Sequence, residues 1–435
     1  MKKTIITYFL TACTFLFCAS QKSTSYTSHS ENGQHSIIIN DDNGSLEVKY
    51  NGDISFTDDE TAIKNISRDG YLKYKRNGKK IVVSTDADGK LVYEINDGDK
   101  KSTLNDDEKS FLSEAVKMMI EYGVGAKDRV ERIYKKGGSK AVMDETKNMK
   151  SDYVKSIYLE YLLETNTLSA NEMTEIANDV HFLLQSDFEK GKLLKKFSSK
   201  YLSNPATAQA YLGAVKSINS DFEKANAVKA ILNQPLTQEQ FSEVLEVAKS
   251  INSDFEKSNV LKEALTNNKM STAQFSSVLN TTVDIHSDFE KANVLKAVLA
   301  NNKISSTQFS EVLNATSGIH SDFEKANVLK EILKNDKLPE AQFTETLSVI
   351  SSVGSDFEKA NVLKQLAGSD IKEEAHWISL ISSTEKVSSD FEKSNVLTDI
   401  AAKMPASENV KSAYMKAAKT ISSDFEYGKT IRAIR

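Results

Sequence analysis

The tetrapeptide Ser-Asp-Phe-Glu begins at residues 186, 220, 253, 287, 321, 355, 389 and 423. The steps between copies are 34, 33, 34, 34, 34, 34 and 34 residues, and a degenerate copy, Ser151-Asp152-Tyr153, lies 35 residues before the first. A fixed period of this size means a stacked array, because one unit of about 34 residues cannot enclose a core and must share apolar faces with its neighbours.

The unit from 287 shows the contents of each copy. Ser287 is a helix N-cap, Glu290 sits at the third helical position, and together they read as a capping box. The same reading applies to Ser220 with Glu223, Ser253 with Glu256, Ser321 with Glu324, Ser355 with Glu358 and Ser389 with Glu392. Asp288 puts negative charge in the first turn, where the helix dipole favours it. Phe289, Val294, Leu295, Val298 and Leu299 supply the expected apolar side of a helix to about Ala300, and Asn301-Asn302-Lys303 breaks it. A second box, Ser305 with Gln308, opens a helix lined by Phe309, Val312, Leu313 and Ile319; Thr237 with Gln240 and Ser271 with Gln274 repeat that signal. Trp377 aligns with Phe309 and Phe343 as a core residue. Each unit is therefore helix, turn, helix. The four prolines agree: Pro205, Pro235, Pro339 and Pro405 fall 19, 15, 18 and 16 residues into their units, between the two helices.

Upstream the period is two. Ile37 and Ile39; Leu46, Val48 and Tyr50; Ile54 and Phe56; Leu72 and Tyr74; Ile81 and Val83; Leu91, Tyr93 and Ile95 alternate with polar residues. Asp42-Asn43-Gly44, Asn51-Gly52, Asn77-Gly78, Asp88-Gly89 and Asp97-Gly98 separate these runs, so residues 36–104 are expected to form antiparallel hairpins. Asp86-Ala87-Asp88-Gly89 resembles half a calcium loop but places Ile95 where a bidentate Glu belongs, so it reads as a turn. Lys73, Lys75, Arg76, Lys79 and Lys80 cluster at one hairpin tip as a solvated turn. From Asn105, an N-cap, helical spacing of Phe111, Leu112, Ala115, Val116, Met119 and Ile120 predicts a helix ended by Gly123 and Gly125. Helices at about 126–136 and 139–149, divided by Gly137-Gly138, complete a connector over 105–150.

Residues 1–20 carry Lys2-Lys3, an apolar stretch from Ile5 to Phe17 and Cys18-Ala19-Ser20, the pattern of a secretory signal. Both cysteines lie in it, so cleavage after Ser20 leaves no thiol for disulfides, catalysis or zinc. Leu10-Thr11-Ala12-Cys13 resembles a bacterial lipobox, which makes Cys13 a candidate lipidation site. Residues 21–35, rich in Ser, Thr, His and Gln, read as a disordered linker.

Lys plus Arg number 56 against 61 acids, which argues against a nucleic-acid surface. Catalysis needs one unique constellation, whereas the strongest signal here is plural. His286 and His320 occupy equivalent sites before the N-cap and read as turn residues; no Gly-x-Ser-x-Gly or phosphate loop occurs. No catalytic residue, metal site or cofactor is expected.

Two further ladders recur. Asn226, Asn259, Asn293, Asn327, Asn361 and Asn395 hold one mid-helix place, where each Asn costs about 0.5–0.7 kcal/mol relative to Ala. Either each amide bonds an adjoining unit, or the row grips an extended peptide backbone, as asparagine ladders do in the armadillo family. Lys224, Lys257, Lys291, Lys325, Lys359 and Lys393 fall on the apolar side, which suggests buried stems with ammonium groups reaching an Asp of the same or next unit.

The 34-residue helical hairpin resembles HEAT and tetratricopeptide repeats, although Val294 stands at the eighth place where the latter family has Gly. The sheet-plus-repeat layout is similar to extracytoplasmic tails of sensor-type membrane metallopeptidases. This chain has no His-Glu-x-x-His, so peptidase activity does not carry over. The expected fold is α+β multidomain, a small antiparallel β domain followed by an α-solenoid over 151–435. The expected function is an exported, non-catalytic scaffold binding a protein or extended peptide, touching membrane only through a lipid anchor. An envelope spacer, and an enzyme with an unrecognised site in the β domain, are the alternatives.

Overall fold

The computed structural model describes residues 25–434 except 32–33, 42–43, 52–53, 69, 98–99, 103, 166, 267–269, 301–303, 335–337 and 339–341. Residues 1–24, among them the expected signal segment and Cys13, together with Asn301-Asn302-Lys303 and Pro339, lie outside the described residues. The chain divides into two compact units, at Leu168 and Ser169.

In the first unit, β1 (Ser25–Glu31), β2 (Gln34–Asp41) and β3 (Gly44–Asn51) are followed by the short β4 (Ser55–Phe56) and β5 (Ile63–Asn65). Then come β6 (Tyr71–Arg76), β7 (Lys79–Thr85), β8 (Leu91–Asp97) and β9 (Lys100–Ser102). Seven strands form one antiparallel sheet in the order β1-β2-β3-β6-β7-β8-β9, while β4 and β5 pair separately. The linker expectation for 21–35 is corrected here: residues 25–31 pair along their whole length with β2. Its Ser/Thr-rich composition concealed a strand whose polar character suits the edge of a sheet.

The hairpin turns follow the sequence. Asn77 and Gly78 have φ of 50° and 82°, the left-handed pair a two-residue hairpin needs. Asp86 receives the amides of Asp88 and Lys90 at 2.9 and 2.8 Å, so its carboxylate serves the turn. At the basic tip, Lys73 pairs with Glu47 and Lys79 with Glu108.

Leu46, Val48, Leu72, Tyr74, Ile81, Val83 and Ile95 turn one sheet face onto α1 (Asp106–Glu121), whose Phe111, Leu112, Ala115, Val116 and Met119 meet it. α2 (Ala126–Lys147) bends at Gly137-Gly138, as the paired glycines predict. α3 (Asp152–Thr165) closes this unit, which therefore keeps the first helix of the degenerate repeat that the sequence assigned to the solenoid. The reason is Arg129, buried on α2: its guanidinium holds Glu60 at 2.6 and 3.2 Å, Glu145 at 2.8 Å and the Tyr158 hydroxyl of α3 at 3.1 Å. Burial opposes its charge, but these partners hold it protonated more firmly than a free arginine.

The second unit starts with α4 (Ala170–Leu183) and continues as helical hairpins. First helices are α5 (Asp187–Leu202), α7 (Asp221–Leu232), α9 (Asp254–Thr266), α11 (Asp288–Ala300), α13 (Asp322–Lys334), α15 (Asp356–Ala367), α17 (Asp390–Ala401) and α19 (Asp424–Ala433). Second helices are α6 (Pro205–Lys216), α8 (Gln238–Lys249), α10 (Thr272–Val283), α12 (Ser306–Ser317), α14 (Phe343–Ser351), α16 (Glu374–Ser383) and α18 (Glu408–Ala418). First helices pack on first helices and second on second, the two-layer arrangement of an α-solenoid. Pro205 is the first residue of α6, where a proline lacks no needed donor. Val294, Leu295, Val298 and Leu299 are at most 2% exposed, and Phe309, Phe343 and Trp377 are buried in one register. Each such side chain contributes about 1.5–3 kcal/mol.

Candidate functional site: a three-row face on the first helices

The motif that defines the repeat works between units. Asp254 receives the backbone N–H of Ser287 at 2.7 Å and that of His286 at 3.1 Å. The same bond to the next unit's N-cap serine recurs from Asp187, Asp221, Asp288, Asp322, Asp356 and Asp390. This corrects the capping-box reading. Ser220, Ser355, Ser389 and their equivalents do accept the amide of the glutamate three residues on. Glu223, Glu256, Glu290, Glu324, Glu358 and Glu392 do not reach back, because the serine N–H is already held by the preceding unit's aspartate. Two of these glutamates visibly turn backward along the array: Glu290 receives the Ser258 hydroxyl at 2.5 Å, and Glu358 pairs with Lys330 at 2.8 Å. Full capping boxes occur where the second helices start, at Thr237/Gln240, Ser271/Gln274 and Ser305/Gln308, as the sequence predicts.

A small residue five places after the serine makes room for this glutamate. An added Cβ on Gly191 would lie 2.9 Å from Glu223 Oε2. Ala225, Ser258, Ala292, Ala326, Ala360 and Ser394 fill the equivalent place and are buried. Burial and the nearby Asp187 raise the Glu223 carboxyl above its usual value, against the pull of Lys195.

The six interior lysines are buried, as expected, but their partners differ. Lys224, Lys257, Lys359 and Lys393 donate to the carbonyls of Ser250, Asp284, Lys386 and Thr420, and Lys325 reaches the Ser352 hydroxyl. These five therefore bolt the end of their own unit's second helix to the first, where a cation also meets the negative end of the dipole; Lys291 makes no side-chain hydrogen bond among the described residues. Lys359 additionally lies 3.7 Å from Asp356.

The largest correction concerns the phenylalanine of the motif. Phe289 was expected in the core and is 55% exposed; Phe222, Phe255, Phe323, Phe357 and Phe391 are 57–58% exposed, and Phe188 and Phe425 more so. Nine residues separate Phe289 from the buried Val298, about 900° of helical rotation, so the two side chains point to opposite sides. The array therefore does not depend on this residue: valines, leucines and the cross-unit bonds hold it.

The asparagine row lies four residues beyond the phenylalanines and is half-buried. Asn395 receives the next unit's Lys429 at 2.6 Å, and that ammonium also sits 5.6 Å from the centre of the Phe391 ring. Among the described residues, Asn226, Asn259, Asn293, Asn327 and Asn361 make no side-chain hydrogen bond. Three residues further stand Lys195, Lys229, Lys262, Lys296, Lys330 and Lys364, a row the sequence reading passed over. Positions i, i+4 and i+7 share one helix face, so the five units from Ser220 to Ser355 present an aromatic ring, an amide and an ammonium in line, whereas Lys192 stands in the amide place of the unit before them and Thr398 in the ammonium place of the unit after. Between the units from Ser186 and Ser220 the face hollows: a cleft of about 400 Å³ is lined by Phe188, Lys192, Lys195, Phe222, Glu223 and Asn226.

His286 and His320 are 92% exposed in their turns. No cluster among the described residues could hold a metal ion, and no helix there is long and apolar enough to cross a membrane. Comparison with models of known protein families, and with curated proteins, finds no match to this chain.

Proposed function

We propose that this chain is an exported, non-catalytic scaffold whose first-helix face binds a protein or an extended peptide. The observation that carries the reading is the row of eight exposed phenylalanines at equivalent positions. Apolar rings repeated in water have no use in stacking, which the buried valines and leucines already supply, and aligned apolar surface is the mark of a binding site. The half-buried asparagines beside them offer donors and acceptors to a backbone. The hairpin period supports a HEAT- or tetratricopeptide-like solenoid, and the sheet-plus-repeat order supports kinship with the sensor-type extracytoplasmic tails. Export rests on the pattern of residues 1–20, with Cys13 as the alternative lipidated start.

The test is affinity capture from an envelope extract by the full chain and by its Phe255→Ser, Phe289→Ser, Phe323→Ser triple variant. The reading expects loss of the captured protein at an unchanged melting temperature. Equal capture by both, or a variant that fails to fold, refutes it.

A further inference from the structure

We infer that the ligand of this face is an acidic segment in the polyproline II conformation, with an apolar residue at every third position. The inference rests on the binding role proposed above and adds the ligand's class. Three features select it.

The first is pitch. Neighbouring first helices pack side by side, so their axes lie about 8–10 Å apart, and rings, amides and ammonium groups each recur once per step. A polyproline II chain advances about 9 Å per three-residue turn. One turn per unit keeps every third side chain over a phenylalanine along the row. A β-strand, whose same-face residues recur about every 6.7 Å, falls out of step within two units.

The second is hydrogen bonding. A polyproline II backbone has no internal hydrogen bonds, so its carbonyls and amides need partners. Asn226, Asn259, Asn293, Asn327 and Asn361 each carry an amide without a partner among the described residues, placed between the aromatic and cationic rows.

The third is charge. Lys229, Lys262, Lys296 and Lys364 form no ion pair among the described residues, while Lys330 already holds Glu358. With one side chain per turn on the ring, the next falls toward the lysine, where a carboxylate is matched. An anionic lipid surface would also meet rings and lysines. Acyl chains, however, cannot satisfy the amide row.

The test uses the full chain and fluorescent 24-residue peptides in anisotropy titrations. The probes are a repeated Pro-Leu-Glu, the same composition permuted so that its leucines no longer recur at every third position, and a repeated Pro-Leu-Lys. The expected result is binding of the first at least tenfold tighter than either control, weakened by added salt. In the Asn259→Ala, Asn293→Ala, Asn327→Ala variant, affinity should fall at least tenfold while the melting temperature holds or rises, which a structural ladder would not allow. Equal binding of the permuted peptide, or full affinity in the asparagine variant, overturns the inference. Binding to phosphatidylglycerol vesicles that requires the phenylalanines overturns it in favour of lipid. If none of the peptides binds while phenylalanine-dependent capture from extract persists, the ligand class falls and the scaffold reading stands; if both fail, both fall.

Discussion

Replacing Asp254 by Ala removes the bond between two neighbouring units without touching their apolar contacts. The carboxylate accepts Ser287 N–H at 2.7 Å and His286 N–H at 3.1 Å, and its side chain is 20% exposed. A hydrogen bond to a charged group contributes about 1.5–3 kcal/mol. The short bond is worth most of that range; the longer one, at an exposed residue, is partly replaced by water. Loss of negative charge from the first turn of α9 adds about 0.3–1 kcal/mol. Together these give about 3 kcal/mol, or roughly a hundredfold shift in the opening equilibrium of the junction. Hydrogen exchange read by mass spectrometry across residues 284–290 should show the Ser287 amide exchanging about a hundredfold faster. Asp254→Asn, which keeps an acceptor oxygen, should lie midway. Asp424→Ala is the control, since that aspartate is exposed and has no hydrogen-bonded partner among the described residues; it should lose only the first-turn contribution, about 0.3–1 kcal/mol. An unchanged Ser287 rate in the Asp254 variant, or equal losses in variant and control, would refute the claim that this carboxylate fixes the register.

Three other outcomes follow from the same structure. Burial works against the Asp187 carboxylate, but the Ser220 and Asn219 amides and Lys190 win and lower its pKa below the ordinary value of 3.8. Its contribution is therefore complete above about pH 4 and lost as acid carries the pH through the depressed folded value; urea melts should show that part of the acid loss missing in Asp187→Asn. Arg129→Met leaves Glu60, Glu145 and the Tyr158 hydroxyl without their common partner, and should destabilise the first unit by about 3 kcal/mol in denaturant titration while the repeats melt as before. Gly125→Ala forces φ of 70° on a residue whose Cβ would lie 2.5 Å from Phe56 Cε2, and should cost about 2–3 kcal/mol by the same assay.

The helical hairpins were legible because their signals are local: a serine or threonine three residues before an acid or amide, a proline between helices, valine and leucine at helical spacing. The bonds of the motif were not, since Asp254 and Ser287 stand 33 residues apart. The sequence offers Glu290 as a nearer candidate for the same N–H, and only the stacked geometry decides between them. The outward face of Phe289 was legible in principle, because Asn293 lies only about 40° from it on the wheel and Val298 about 180°. An apolar residue recurring beside a cap reads as core because burial is the commoner use of phenylalanine. The lysine row beyond the asparagines is inconspicuous in the sequence because single surface lysines are ordinary; its meaning comes from alignment with two other rows.

Aspartates and N-cap serines of successive units all meet along one edge, where each second helix gives way to the next first helix. The opposite edge, between the helices of one hairpin, carries side-chain bonds instead, such as the Ser271 hydroxyl to Gln238 and the Gln240 amide to the Leu202 carbonyl, with no aspartate-to-backbone stitch among the described residues. The only 33-residue step shows the difference: Thr237 follows Ser220 by 17 residues, whereas Ser271 and Ser305 follow Ser253 and Ser287 by 18. The missing residue has been dropped from the edge that lacks the aspartate bonds. Such an array can lengthen or shorten by in-frame duplication of whole modules, each bringing both halves of its seam. Small insertions and deletions are absorbed on the far margin, where loops can diversify while the seam stays constant.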